Sequence, residues 1–157
     1  MKKFLTTILI GMLLFIFGGT FIITRSLSPY NQARAETIEL AGRKADLIDE
    51  DQFYWFNGEE TFFTITGLDS EGTAIAVIVQ QDSGDIQVFN QADILSENEA
   101  ILEVYNQENP EEIMEARIGV YKDQPVWEVS FRLENGRIGY SMLSLTSGEW
   151  IQTIRNI

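Results

Sequence analysis

Phe62-Phe63-Thr64-Ile65 returns as Val126-Trp127-Glu128-Val129, an offset of 64 residues. At that offset Gly72 falls on Gly136, Ser83-Gly84 on Ser147-Gly148, Asp85 on Glu149 and Ile86 on Trp150. Turn residues that recur at fixed places between apolar runs imply two copies of one small β-rich unit.

Working outward from the first copy, Phe53-Tyr54-Trp55-Phe56 is aromatic and reads as a strand. Asn57-Gly58 reads as a two-residue hairpin turn. Glu60 to Gly67 is rich in Phe, Thr and Ile, and Asp69-Ser70-Glu71-Gly72 turns the chain. Thr73 to Val79 gives a third strand. Asp82-Ser83-Gly84 turns it again, and Asp85 to Phe89 closes a four-stranded antiparallel sheet. Before the sheet, Ser28-Pro29 is a helix start signal. Tyr30, Ala33, Thr37, Ala41, Ala45 and Ile48 recur every three or four residues, which predicts an amphipathic helix over 30–49. Gly42 inside it costs up to about 1 kcal/mol relative to alanine, so a close neighbour is expected there.

The second copy restarts near Gln91. Ser96-Glu97-Asn98-Glu99 fits a capping box. The helix should run over 97–108 and stop before Pro110. Met114, Ala116, Ile118 and Val120 then alternate with Glu115, Arg117, Gly119 and Tyr121. Trp127, Val129 and Phe131 alternate with Glu128, Ser130 and Arg132. Such alternation gives one buried and one wet face. Asn135-Gly136 and Ser147-Gly148 make the later turns, with Ile138, Tyr140 and Met142 between them and Trp150 beyond. Each copy reads helix-β-β-β-β, so the fold class is α+β, a helix on one face of each sheet.

Phe4 to Thr24 holds 21 residues without a charge. A helix of about 20 apolar residues spans a bilayer core. Lys2 and Lys3 precede it, which orients the N-terminus inward and the bulk of the chain outward. A cleaved signal peptide is the competing reading, with Ala33-Arg34-Ala35 as its site. The apolar core is long for that, and the site lies well beyond it. The expected division is therefore a cytoplasmic stub and anchor over 1–28, a first domain over 29–91 and a second over 92–157.

The 157 residues include no cysteine and no histidine. Disulfides, thiolate metal sites, a cysteine-borne lipid anchor, and Ser-His or Cys-His nucleophilic catalysis are excluded. After position 28 the chain carries 8 basic and 24 acidic residues, net −16. That surface repels phosphate backbones, so nucleic acid is not an expected partner. It keeps the domain soluble and suits a basic partner. The acidic turns at 69–72 and 82–85 lack the spacing of a calcium loop and carry the residues a tight turn needs. The adjacent pairs Glu59-Glu60 and Glu111-Glu112 do not form a directed glycosidase pair, since neighbours on a strand point to opposite faces. No catalytic, metal-binding or cofactor-binding residue is expected.

The copies differ informatively. At the offset of 64, Phe53 matches Arg117 and Trp55 matches Gly119. If Tyr54 and Phe56 face the core, Phe53 and Trp55 face the other way. Aromatics on a nominally wet face suggest a partner-binding surface, or burial against the second domain.

An N-terminal apolar segment leads into a helix and FFTITGLDSEGTAIAVIV. A second unit then carries VWEVSF, an Asn-Gly turn, YSMLSL and TSGEW. These features resemble the TseB/YpmB-like cell-wall elongation regulator family of Gram-positive bacteria. Trp127-Glu128-Val129 followed by Thr146-Ser147-Gly148-Glu149 is similar to the PepSY pattern. The first copy departs from it, with Phe63 for the tryptophan and Asp82-Ser83-Gly84 at the turn. The resemblance implies two tandem PepSY-like (cystatin-like) domains on a single-pass anchor at the cell membrane. It implies a non-enzymatic regulator that binds a class B penicillin-binding transpeptidase in lateral peptidoglycan synthesis. Peptidase inhibition and sensing of wall fragments are the alternatives that PepSY-like domains suggest.

Overall fold

The computed structural model describes Met12 and residues 29–155. Apart from Met12, the expected membrane segment lies outside these residues. Among the described residues no helix is long and apolar enough to cross a membrane. The chain divides into a unit ending at Glu36 and a compact unit from Thr37 onward that holds both sheets.

The protein is α+β. Helix α1 covers 29–45. It is followed by strands β1 (Leu47–Asn57), β2 (Thr61–Asp69), β3 (Ala74–Gln80) and β4 (Ile86–Asn90). A 3-10 turn at Gln91–Asp93 leads to helix α2 (Glu97–Glu108). Strands β5 (Glu112–Tyr121), β6 (Gln124–Arg132), β7 (Ile138–Ser144) and β8 (Trp150–Arg155) complete the chain. The strands form two antiparallel meanders, β1-β2-β3-β4 and β5-β6-β7-β8.

Helix α1 ends four residues before the predicted end. Asp46 takes a left-handed conformation with φ 54°. Such a residue closes a helix by reversing the chain. The reversal brings the Leu47 carbonyl to 3.3 Å from where a Gly42 side chain would start, which is the close neighbour the glycine implied. Leu47 is then buried as the first residue of β1, and Ile48, expected on the helix, is 69% exposed. Ile38, Leu40, Ala41 and Ala45 of α1 pack with Ile65, Ile75, Val77 and Val79 of the first sheet.

Helix α2 has the predicted bounds. Ser96 Oγ accepts from the Glu99 amide, and the Glu99 carboxylate accepts from the Ser96 amide at 2.9 Å. The Ser96 hydroxyl, donating to the same carboxylate at 2.7 Å, and then the Ser96 amide hold the Glu99 carboxyl below its ordinary range. Asn109, left-handed at φ 46°, closes the far end before Pro110. There Arg155 of β8 grips Glu108 with two hydrogen bonds of 2.7 Å. Ala100 and Val104 lie in one core with Trp127, Val129, Phe131, Leu143 and Leu145. Burial of large side chains such as Trp127 and Phe131 contributes on the order of 2 kcal/mol each.

Two local readings are corrected. Met114 does not continue the buried face. A bulge between Ile113 and Glu115 turns Ile113 to the core and leaves Met114 44% exposed. Asn57-Gly58 is not a two-residue turn. Asn57 still pairs with Thr61, and Gly58 to Glu60 form the loop. The two-residue turn belongs to the second copy, at Lys122 and Asp123, with φ of 48° and 63°. Positive φ at both positions matches the twist of the flanking strands.

That difference shifts the repeat. Phe63 pairs with Val79, and Trp127 with Leu143, at the offset of 64. Phe63 also pairs with Trp55, but Trp127 pairs with Ile118, an offset of 63. The second hairpin carries one more residue, so everything before it moves by one. The helix-ending residues Asp46 and Asn109 obey the same shorter offset. The structural equivalents of Phe53, Tyr54, Trp55 and Phe56 are therefore Ala116, Arg117, Ile118 and Gly119. The matches of Phe53 with Arg117 and Trp55 with Gly119 are out by one place.

Candidate functional site

Alternation along β1 sends its aromatic residues to two faces. Phe53 and Trp55 lie on the side that carries Phe63 and Ile65. The Phe53 ring stacks on Phe63 at 5.9 Å, and Trp55 meets Phe63 edge-on at 5.1 Å. Phe53 also packs against the core that Ile38, Leu40 and Ala45 of α1 help to form. Both residues are half-buried.

Tyr54 and Phe56 point the other way, to the second sheet. Phe56, 1% exposed, shares its core with Phe62, Ile118, Val126 and Trp127. A Cβ on Gly119 would overlap the Phe56 ring. Tyr54 meets Trp127 edge-on at 5.4 Å, and its hydroxyl donates to Glu97 Oε2 at 2.9 Å. Thr64, beside Tyr54 on β2, donates its buried hydroxyl to the Ile118 carbonyl at 3.1 Å. β5 is an edge strand, so that carbonyl has no strand partner on this side and needs one when buried. Burial, helped by the hydrogen bond to Glu97 and the charges of Glu97 and Asp51, raises the Tyr54 pKa far above its ordinary value. Its phenol stays protonated and can donate.

A second polar cluster lies on the sheet face opposite α2. Arg117 Nε sits 3.5 Å from Glu115 and 3.6 Å from Glu128. Among the described residues it is buried without a hydrogen bond. Burial raises the Glu128 pKa, while the Arg117 charge lowers it and Glu115 raises it again. The cluster is an ion-pair group, and Ser130 beside it donates its hydroxyl to the Glu115 carbonyl at 3.2 Å.

The acidic turns use their side chains internally. Asp69 Oδ1 accepts from the amides of Glu71 and Thr73, and Ser83 Oγ from that of Asp85. Among the described residues no group of three or more carboxylates is placed to hold a metal ion.

Sequence reasoning singled out Phe53 and Trp55 and passed over Tyr54, Thr64 and Gly119, which join the copies. One signal was present: an isolated glycine inside a strand marks close approach by another group.

A family model described as "Cell wall elongation regulator TseB-like domain" matches residues 36–80. The Bacillus subtilis (strain 168) protein named "Probable cell wall elongation regulator TseB" is 26% identical over 149 residues, 88% of this chain and 92% of that protein. A solved structure of the YpmB protein from Bacillus subtilis superposes with a TM-score of 0.68 at 25% identity, over 80% of this chain and 95% of that one.

Proposed function

We propose, for a chain that is TseB/YpmB-like, the role of a membrane-anchored extracytoplasmic regulator of cell-wall elongation. The observation that carries this reading is the similarity to the B. subtilis protein named as such a regulator, which runs over 88% of this chain. Its two sheet-and-helix copies are read as tandem PepSY-like, cystatin-like domains over 29–91 and 92–157, and 4–24 as a single-pass anchor with the N-terminus inside.

The role is read as non-enzymatic. Without histidine or cysteine the chain lacks the commonest general base and thiol nucleophile. Its tyrosine at the junction of the copies is held protonated and hydrogen-bonded to Glu97, which suits a structural donor.

The partner is read as a class B penicillin-binding transpeptidase of lateral wall synthesis. A shared membrane supports such a pairing, because tethering both proteins raises their effective concentration. Phe53 and Trp55, half-buried on β1, are the first residues proposed for contact.

Deletion of the gene tests the role. Cells lacking the protein should incorporate a fluorescent D-amino acid less along the lateral wall and normally at the septum. Unchanged lateral incorporation would count against it.

A further inference from the structure

A trough opens between the two copies, on the face of the first sheet that turns away from α1. Its inner part, a cavity of about 170 Å³, ends against Tyr54, Ile118, Trp127 and the first turn of α2. Its outer part, about 330 Å³, runs beside Asp49–Asp51 of β1 and over Leu68 and Ala74 of the sheet. The two parts adjoin at Asp51 and Gln91, which line both.

The lining is of two kinds. The floor is apolar: Leu68 and Ala74 outside, Ile94, Leu95, Ile118 and Trp127 inside. Leu68 remains 39% exposed. The rim is acidic: Asp49, Glu50 and Asp51 on one wall and Glu97 at the inner end. Among the described residues no lysine or arginine lines either part. Glu97 and Asp51 both add to the raised Tyr54 pKa that burial begins, so their charges bear on the inner end of the trough. The wall strand is bulged between Leu47 and Asp49 and again between Glu50 and Phe53. Bulges discourage the addition of another strand to an edge, so side chains rather than a backbone ladder would hold an occupant.

An apolar floor under a carboxylate rim complements a chain whose side chains alternate between aliphatic and cationic. We propose that this trough receives an extended basic segment of the protein partner, with aliphatic side chains on Leu68, Ile94 and Leu95 and cations against Asp49, Asp51 and Glu97. The proposal rests on the reading of the protein as a regulator that binds another protein, and it adds a second contact surface, on the sheet face opposite Phe53 and Trp55, with its chemistry.

The test uses the full chain in nanodiscs and a fluorescein-labelled nine-residue peptide of alternating lysine and leucine. The Lys-Leu peptide should bind, and a Glu-Leu peptide of the same length should not. Asp49→Lys with Asp51→Lys should weaken binding about tenfold or more, an effect that added salt reduces. Asp82→Lys with Glu134→Lys makes the same change in net charge away from the trough and should leave binding unchanged. Equal weakening by both pairs, or by neither, would overturn the proposal. Unaltered thermal midpoints exclude misfolding as the cause.

A second arm measures capture of the class B synthase from membranes. Capture by the wild-type chain that is lost in the Asp49/Asp51 double variant supports the trough as the partner's site. Equal capture by both overturns the trough and leaves the partnership standing. Capture by neither, with peptide binding intact, overturns the partnership but not the trough's chemistry.

Discussion

Phe56 of the first copy lies against Gly119 of the second, which holds the equivalent place in its own sheet. Each sits one place before the last equivalent rung of its hairpin, Phe56 opposite Phe62 and Gly119 opposite Val126. Only a residue without a side chain leaves room for the ring there. The copies have thus diverged at matched positions, an aromatic on one side and its cavity on the other.

Gly119→Val should therefore destabilise the protein by about 1–3 kcal/mol, as overpacking does. Phe56→Ala should cost about 3–5 kcal/mol, the usual range for a buried phenylalanine. The double variant should lose less than the two losses together, because the valine would fill space the ring had vacated. Urea denaturation of all three measures this, and additive losses would contradict the packing described.

Tyr54→Phe keeps the ring on Trp127 and removes the hydroxyl that reaches Glu97. A loss of about 1 kcal/mol is expected, the net contribution of one such hydrogen bond. Tyr54→Phe with Glu97→Gln should show coupling between the two sites, and independent effects would argue that the bond does not form in solution.

Glu128 supplies a pH dependence. Burial holds its carboxyl above the ordinary value of 4.5. The folded protein then binds that proton more tightly than the unfolded chain does. Its stabilising contribution is fully present below 4.5 and is lost as pH rises through the folded value. The unfolding free energy of the wild type minus that of Glu128→Gln should thus grow as pH falls from neutral toward 4.5. A difference that stays level across that window would contradict the burial argument.

Trp55→Ala addresses the proposed contact on the α1 side of the first sheet. Capture of the synthase should fall about tenfold, the scale of an aromatic anchor at an interface. Thermal stability should fall less than in Phe56→Ala, because Trp55 is half-buried and Phe56 almost wholly so. Unchanged capture with a large loss of stability would make Trp55 a packing residue only.

How much of this was legible in the sequence depended on how locally each feature was encoded. The bounds of α2 were readable because Ser96, Glu99 and Pro110 punctuate them within a turn of the helix. The end of α1 was not, since it turns on Asp46, a residue that tolerates a left-handed conformation without advertising it. The four strands of each copy followed from alternation and turn glycines. The bulge at Met114 and the extra residue of the second hairpin did not, because a fixed offset hides a shift of one place. The junction was least legible of all. Thr64 reads as an ordinary strand threonine until Ile118 of the other copy is brought beside it.

The central claim is partnership with a wall synthase, and capture from membranes tests it most directly. The intact chain, cross-linked in living cells and recovered with its membrane segment, would be treated with a fluorescent penicillin that labels transpeptidases covalently. The account predicts a labelled class B penicillin-binding protein, enriched over a control carrying residues 1–28 alone. Recovery of no labelled protein above that control would contradict it.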